Sequence, residues 1–127
     1  MRLDFQKMGG LIPAVVQDAA TGEVLMVGFM NEEALRETLA TGNATFFSRS
    51  RNKLWRKGET SGATLKLRQA LVDCDADTVL IRVEAAGPGV CHEGYRSCFF
   101  RELEADGSAK AIAERVFDPD AVYGRGR

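Results

Sequence analysis

Three aspartates at alternate positions make up the most informative short segment of the chain: Asp73, Asp75 and Asp77. If this segment is extended, the three carboxylates lie on one side and Cys74 faces the other. Clustered carboxylates repel one another unless water solvates them or a hard divalent cation such as Mg²⁺ takes their oxygens as ligands. The pattern therefore predicts either a magnesium site or a solvated acidic turn between two strands.

The three cysteines of the chain, Cys74, Cys91 and Cys98, are compatible with zinc. They lack the short C-x₂₋₄-C pairs of structural zinc sites, whereas three protein ligands and one open position are typical of catalytic zinc. Such a zinc lowers the pKa of water from 15.7 towards about 7. The alternative is that one or more of these cysteines are small buried apolar side chains.

His92, the only histidine, stands next to Cys91. It is a candidate metal ligand, general acid or base, or substrate contact. In an extended chain its side chain would point away from that of Cys91, which favours proton transfer or substrate contact over ligation. A surface histidine without a function is the remaining alternative.

Five positive charges fall within residues 49–57 of a chain whose formal net charge is −1. Arginine forks and lysine ammonium groups at this density suit phosphate. The alternatives are a solvated basic hairpin anchored by Trp55 and a single-strand nucleic-acid patch, which one aromatic ring serves poorly. The candidate substrate-binding residues are Ser48, Arg49, Ser50, Arg51, Lys53, Trp55, Lys57, Glu59, Thr60 and Ser61.

Length and composition favour one ordinary domain over residues 1–127, because domains commonly have roughly 100 to 200 residues. The near-neutral charge argues against a nucleic-acid partner. There is no apolar run of the ~18 residues that cross a bilayer, and no signal-peptide pattern, so we expect a cytoplasmic protein with reduced thiols and no membrane contact.

Local signals predict an α+β fold, a mostly antiparallel sheet with one or two short helices. A helix over 31–42 is capped by Asn31 and Gly42 and packs through Ala34, Leu35, Thr38 and Leu39. Residues 48–62 read as a long functional loop, and residues 118–127 as a frayed end. We expect strands at 14–17, 23–30, 44–48, 65–73, 78–85 and near 99–103, and a helix over 109–117.

Three strings, in this order and spacing, carry a resemblance to a known family: SRSRNKLWRKGETSG, DCDAD and CHEGYRSCFFR. With GLIPAVVQD and VLMVGFMNEEAL before them, the chain resembles phosphoribosyl-AMP cyclohydrolase of histidine biosynthesis over about residues 9–103, followed by a tail over 104–127. The resemblance implies a hydrolase that opens the adenine ring of N1-(5-phosphoribosyl)-AMP between N1 and C6. The two phosphates of this substrate suit the basic, hydroxyl-rich residues 48–62.

The same resemblance implies the metals and the assembly. Cys74, Cys91 and Cys98 correspond to zinc ligands shared between the subunits of an intertwined homodimer, with one Zn²⁺ per subunit. Asp73, Asp75 and Asp77 correspond to Mg²⁺ ligands. His92 is then our candidate for proton transfer to N1. We attach no ligand role to Ala63 and Thr64, where the pattern departs from the more polar pair expected.

Two other classes compete with this interpretation. A zinc nucleobase deaminase expects H-x-E and P-C-x-x-C, whereas this chain has Cys91-His92-Glu93 and no P-C-x-x-C. A small zinc-stabilised interaction module would bind without turnover. The 24 residues after Leu103 are too few for a fused pyrophosphohydrolase domain, so we expect no such activity.

Overall fold

The structure, a computed structural model, describes residues 2–124. Its strands are β1 (Ile12–Asp18), β2 (Val24–Met30), β3 (Thr45–Ser48), β4 (Lys53–Arg56), β5 (Leu65–Val72), β6 (Val79–Ala85), β7 (Arg101–Leu103) and β8 (Ala109–Ala111). Its helices are α1 (Glu32–Thr41) and α2 (Pro119–Tyr123). The α+β class is therefore confirmed. In the described part of the chain no helix is long and apolar enough to span a membrane.

The central sheet has the strand order β2-β1-β6-β5. Pairs β1–β2 and β5–β6 are antiparallel, as their short connections require, while β1 and β6 are parallel. The sheet is thus mostly antiparallel, as predicted. Its core side alternates along the strands, with Ala14 and Val16 on β1 and Ile81 and Val83 on β6 all fully buried.

Helix α1 covers the sheet and confirms the predicted caps. The Asn31 side chain accepts a hydrogen bond of 2.8 Å from the Ala34 amide, and Gly42 ends the helix at φ 77°. Ala34 and Thr38 are buried as expected, but Leu39 is 56% exposed. Leu39 lies at the edge of the stripe, so the prediction that it packs on the sheet was wrong.

The segment 48–62, called here the basic segment, is not one irregular loop. Its residues 53–56 form β4, which pairs antiparallel with β3, and Asn52 at φ 53° closes the turn between them. The Trp55 ring packs 5.1 Å from the ring of the buried Phe46. Leu54 and Trp55 are both half-buried, so the alternative of a basic hairpin anchored by Trp55 describes this part of the segment better than an irregular loop does.

The predicted helix over 109–117 is wrong. Residues 109–111 form β8, paired with β7 across a turn at Asp106 and Gly107. Asp106 accepts a hydrogen bond of 2.9 Å from the Ser108 amide, and Gly107 has φ 89°. This Asp-Gly hairpin signal outweighed the helix propensity of the alanines. Residues 118–124 are also not frayed, since they include α2; the rest of that expectation, 125–127, lies outside the described residues.

Candidate active site

The basic segment encloses a cavity of about 510 Å³. This volume lies within the usual range of small-molecule sites, roughly 300–1,000 Å³. The cavity is lined by Ser48, Ser50, Arg51, Trp55, Arg56, Lys57, Gly58, Glu59, Thr60, Ser61, His92 and Tyr123. Cationic groups and hydroxyls dominate this lining, which suits an anionic ligand with several oxygens.

Eight of the ten candidate substrate-binding residues line this cavity, together with His92. The other two do not: Arg49 places its guanidinium 4.7 Å from the centre of the Phe29 ring, and Lys53 is exposed on β4. Arg56 and Tyr123 line it without having been assigned there. Arg56 belongs to the charge run, but nothing local in the sequence links Tyr123 to a segment more than sixty residues earlier.

A tight turn shapes the hydroxyl side of the cavity. The Gly62 amide donates to the Gly58 carbonyl at 2.7 Å, and Gly58 has φ 87°. A side chain at Gly58 would bring its Cβ to 2.4 Å from the backbone of Ala63, so this position needs glycine. Lys57 is fixed beside the turn because its amide donates to the Ala44 carbonyl at 3.1 Å.

Residues 91–98, called here the cysteine loop, are held against β2. The Ser97 hydroxyl donates to the Val24 carbonyl at 2.7 Å, and the Cys98 amide donates to the Leu25 carbonyl at 2.7 Å. Arg96 pairs with Glu23 and, at 2.8 Å, with Asp18. The loop therefore presents Cys91, His92 and Cys98 from a fixed backbone.

Cys91 and Cys98 lie close enough for their thiols to interact. Cys91 is buried, and its sulfur accepts a hydrogen bond of 3.4 Å from the Glu93 amide. Cys98 keeps exposed surface, but the atoms packed around its thiol desolvate it. That desolvation and, after it, the neighbouring Cys91 raise the pKa of the Cys98 thiol, the Lys57 ammonium opposes them, and the net pKa is about 11.

Lys57 connects the thiol pair to the cavity. Its side chain lines the cavity, and its ammonium is near enough to attract the sulfurs of Cys98 and Cys91 when these are ionised. Burial lowers the pKa of Lys57 below the ordinary 10.5, whereas negative charge on the two sulfurs acts in the opposite direction. The ammonium of Lys57 thus belongs both to the cavity lining and to the surroundings of the two thiols.

His92 lies at the mouth of this arrangement. Its side chain is 67% exposed, and its Nε2 is 3.8 Å from a carboxylate oxygen of Glu93. Its side chain lines the cavity, and it follows Cys91 directly in the chain.

Residues 73–77, called here the acidic turn, connect β5 to β6. Potential ligand oxygens of Asp73, Asp75 and Asp77 all lie within 4.8 Å of one another. The segment is not extended as assumed: Asp73 accepts from the Asp77 amide at 3.0 Å, and Ala76 takes φ 62°. We expected an extended strand to align the three carboxylates on one side. A turn brings them together instead.

A lysine from the N-terminal segment occupies the same place. Lys7 Nζ is 3.0 Å from Asp77 and 3.4 Å from Asp75. The hydrogen bond from Lys7 lowers the pKa of the Asp77 carboxyl below 3.8. Three oxygen donors fit a hard divalent cation. The Asp4 amide donates to the Ala76 carbonyl at 2.7 Å, which fixes this segment on the acidic turn.

Cys74 does not join the other cysteines within one chain. It is exposed on the acidic turn. Among residues 2–124 the three aspartates are the only group of three or more potential metal ligands that the fold brings together. One chain therefore offers two neighbouring thiols, and a third thiol on a different part of its surface.

A larger hollow of about 700 Å³ lies between the N-terminal segment and α1, lined in part by Arg2, Asp4, Glu32 and Arg36. Its lining includes no cysteine, histidine or hydroxyl side chain. The candidate chemistry therefore lies at the smaller cavity, which defines a class of protein: an α+β domain with an oxygen-rich, cationic pocket beside paired thiols.

Comparison with known proteins identifies this class further. The family model described as phosphoribosyl-AMP cyclohydrolase matches residues 26–100, which include the basic segment, the acidic turn and the cysteine loop. The chain belongs to this family, whose members are hydrolases of histidine biosynthesis.

Curated relatives agree with the family match over nearly the whole chain. A phosphoribosyl-AMP cyclohydrolase of Solibacter usitatus is 60% identical over 124 residues, 98% of each chain. That of Oleidesulfovibrio alaskensis is 56% identical over 120 residues, 94% of this chain and 92% of its own. That of Geotalea uraniireducens is 55% identical over 123 residues, 97% of this chain and 98% of its own.

Proposed function

We propose that this protein hydrolyses the N1–C6 bond of the adenine ring in N1-(5-phosphoribosyl)-AMP, as a single domain acting in the cytoplasm. The observation that carries the proposal is the cavity, in which Lys57 lines a phosphate-suited surface and also interacts with the Cys91–Cys98 pair. The proposal is supported because a surface suited to phosphate lies beside two neighbouring thiols, which are candidate metal ligands.

The cavity residues bind the two phosphoribosyl groups. Arg51 and Arg56 supply bidentate forks, and Lys57 supplies a compact positive charge. The Ser48 and Ser50 hydroxyls, 3.3 Å apart, donate to phosphate or ribose oxygens. Because the purine joins both groups, fixing both phosphates also fixes C6 relative to the cysteine loop.

Cys91 and Cys98 of one subunit and Cys74 of a second copy would hold zinc. Thiol chemistry suits this ion, but the two thiols that meet within one chain are fewer than the three ligands of a catalytic site. The exposed Cys74 would be the third when two chains form a homodimer. Zinc held there supplies a Lewis acid that makes water nucleophilic near neutral pH.

His92 transfers the proton. N1-substituted adenine is amidinium-like, so C6 is already electrophilic and needs a positioned water rather than a covalent nucleophile. Water loses a proton as its oxygen bonds to C6, the C6–N1 bond breaks as the C6–O bond becomes the carbonyl of a carboxamide, and N1 takes up a proton. An exposed imidazole at the cavity mouth carries that proton between water and N1.

The acidic turn would hold Mg²⁺ through Asp73, Asp75 and Asp77. Their clustered oxygens are the donor type that this ion prefers, and Mg²⁺ usually retains waters that reach substrate phosphates. In this proposal the chain has no nucleic-acid or membrane partner. Its ligands are the nucleotide, the two metals and a second copy of itself.

The direct test incubates the purified protein with phosphoribosyl-AMP and follows absorbance and product mass. We expect a product heavier than the substrate by one water, and no ammonia. Released ammonia would instead identify a deaminase, and no reaction would leave a binding module. Cys91→Ala should lose both zinc and turnover, whereas unchanged zinc content and turnover would end the three-thiolate proposal.

A matched lysine pair tests the cavity. Lys57→Ala should raise KM about tenfold, since it removes a charge-assisted contact to phosphate. Lys53→Ala, a change of the same charge in the same segment but outside the cavity, should change KM far less. Equal effects of the two substitutions would mean that the basic segment acts through its overall charge.

A further inference from the structure

Two large aromatic rings besides the His92 imidazole line the cavity: Trp55 and Tyr123. Trp55 is already part of the packed interior, with its ring 5.1 Å from that of Phe46 and the Lys57 ammonium 5.9 Å from its centre. Tyr123 reaches the same cavity from the last turn of α2. The second ring is thus supplied by the C-terminal segment, which the family match over 26–100 does not include.

The C-terminal segment is fixed to the cysteine loop. The Val116 and Phe117 amides both donate to the Gly94 carbonyl, at 2.8 and 3.4 Å. A Cβ at Gly94 would lie 2.7 Å from the Phe117 carbonyl oxygen, so this close approach depends on glycine. Because Gly94 is two residues from His92, the segment that carries Tyr123 is positioned by the same loop as the candidate proton carrier.

Helix α2 then directs Tyr123 towards the cavity. Asp118 caps the helix by accepting from the Asp120 amide at 3.0 Å, and Pro119 is buried at its first position. Tyr123 is half-buried, and its ring lies 6.5 Å from that of Phe117. The helix has one turn, so its position depends on these caps and on the anchor at Gly94.

A bound purine needs an aromatic ring face to stack on. The cationic and hydroxyl groups suit the phosphates and riboses, while Trp55 and Tyr123 are the lining residues with large rings. Because the Trp55 ring already packs against Phe46 and lies near the Lys57 ammonium, Tyr123 is the better candidate for a contact with the base. Stacking on an aromatic ring stabilises a bound base by about 1–3 kcal/mol, which corresponds to a factor of about 5 to 150 in affinity. An amidinium-like adenine adds attraction to the electron-rich face of the phenol.

We propose that Tyr123 is a substrate-contacting residue whose ring stacks on the purine. This inference rests on the proposed function for the identity of the base. It adds to that function a contact made by the C-terminal segment. This contact strengthens substrate binding and takes no part in the chemical step.

The test compares Tyr123→Ala, Tyr123→Phe and the neighbouring Val122→Ala, an exposed residue that does not line this cavity. Because stacking stabilises substrate and transition state alike, Tyr123→Ala should raise KM about tenfold and change kcat by less than about twofold. Tyr123→Phe and Val122→Ala should stay within about twofold of wild type in both constants.

A second readout does not depend on turnover. The chain has a single tryptophan, and Trp55 lines the cavity, so its fluorescence reports binding of AMP as a probe. Tyr123→Ala should weaken AMP binding several-fold, while Tyr123→Phe should not. Thermal unfolding of the same samples should show a similar Tm for Tyr123→Ala and Val122→Ala.

Three results would overturn the stacking contact: an unchanged KM and AMP affinity in Tyr123→Ala, an equal loss in Val122→Ala, or an equal loss in Tyr123→Phe. A wild-type protein that does not hydrolyse phosphoribosyl-AMP, but binds AMP more tightly than Tyr123→Ala, would overturn the proposed function and still support the contact.

Discussion

The acidic turn and the cysteine loop both gather potential metal ligands, but over very different lengths of chain. In the acidic turn, three carboxylates within five residues meet because Asp73 accepts backbone hydrogen bonds and closes the turn. The cysteine loop brings together only Cys91 and Cys98, and Cys74 stays on the acidic turn. Ligands that lie on one turn are brought together within a single chain. Ligands that lie on distant segments, such as the three cysteines, come together only through tertiary or quaternary contacts.

The acidic turn and the cysteine loop also differ in the protonation of their potential ligands. In the acidic turn, Lys7 lowers the pKa of Asp77, so this carboxyl is ionised at neutral pH. In the cysteine loop, desolvation raises the pKa of Cys98 to about 11, so this thiol keeps its proton at neutral pH. The acidic turn is therefore ready for a cation, while the Cys98 thiol must release its proton before it binds one.

The largest expected effect comes from dividing the thiol set between two inactive chains. Cys74→Ala and Cys91→Ala should each lose more than about 99% of activity, because in the proposed homodimer each would lack one zinc ligand at both sites. The two variants are then unfolded and refolded together in equal amounts. If Cys74 completes the zinc site of a second copy, half of the refolded dimers are heterodimers, and each heterodimer has one intact site of two. Activity should recover to about a quarter of that of wild type.

Refolding each variant alone is the control and should recover nothing. Failure of the mixture to recover activity, where refolded wild type does recover, would mean that each zinc site takes its cysteines from one chain. A mixture of Cys91→Ala and Cys98→Ala is the matched negative control. Both cysteines belong to the same loop, so every site in this mixture lacks one of them and no activity should return.

The acidic turn should behave in the opposite way. Asp75→Asn and Asp73→Asn should each lower activity at limiting Mg²⁺ about tenfold or more, since each removes one carboxylate ligand. Mixing them should restore nothing, because all three carboxylates come from one turn and every copy is defective. Recovery in this mixture would show that the magnesium ligands are also shared. An unchanged Mg²⁺ requirement in Asp75→Asn would make the acidic turn a solvated connection.

How much of this could be predicted depends on the distance between the residues involved. The caps at Asn31 and Gly42 act within α1, and both were predicted correctly. Clustering of the aspartates was also foreseen, although a turn produces it rather than a strand. The helix over 109–117 was wrong because the Asp106–Gly107 turn signal was overlooked, not because the sequence lacked it.

Contacts between distant segments left no comparable trace in the sequence. Tyr123 reaches the cavity only because Val116 and Phe117 bond to Gly94, and no periodicity or spacing indicates that pairing. Lys7 likewise meets Asp75 and Asp77 from almost seventy residues away. Pattern identifies which residue types suit a chemistry, whereas tertiary packing decides which of them share one site.

The opposite pKa directions predict different pH dependences for the two metals. Because the pKa of Cys98 lies far above neutral, zinc binding releases a proton, and apparent affinity should rise by up to about tenfold per pH unit for each proton released. The pKa of Asp77 lies below 3.8, so Mg²⁺ affinity should be nearly constant between about pH 6 and pH 8. Titrations of metal-free protein in a weakly buffered solution measure both. Equal slopes for the two ions would contradict the comparison.

The smallest effect concerns Lys7, which takes the place of a cation on the acidic turn. A divalent ion must displace its ammonium from Asp75 and Asp77, so Lys7→Met should tighten Mg²⁺ binding, by only about threefold because exposed ion pairs are weak. The backbone bond from Asp4 to Ala76 remains, which keeps the N-terminal segment in place. Calorimetric titration with Mg²⁺ measures the change, and added salt should shrink it.

Lys110→Met is the matched control, because Lys110 also pairs with an exposed carboxylate, Glu104, at 3.2 Å, but not on the acidic turn. It should leave Mg²⁺ affinity unchanged. An equal gain in both variants would reflect the net charge of the protein alone. A loss of affinity in Lys7→Met would mean that Lys7 orients the carboxylates instead of competing with the metal, so the sign of this small change decides between the two roles.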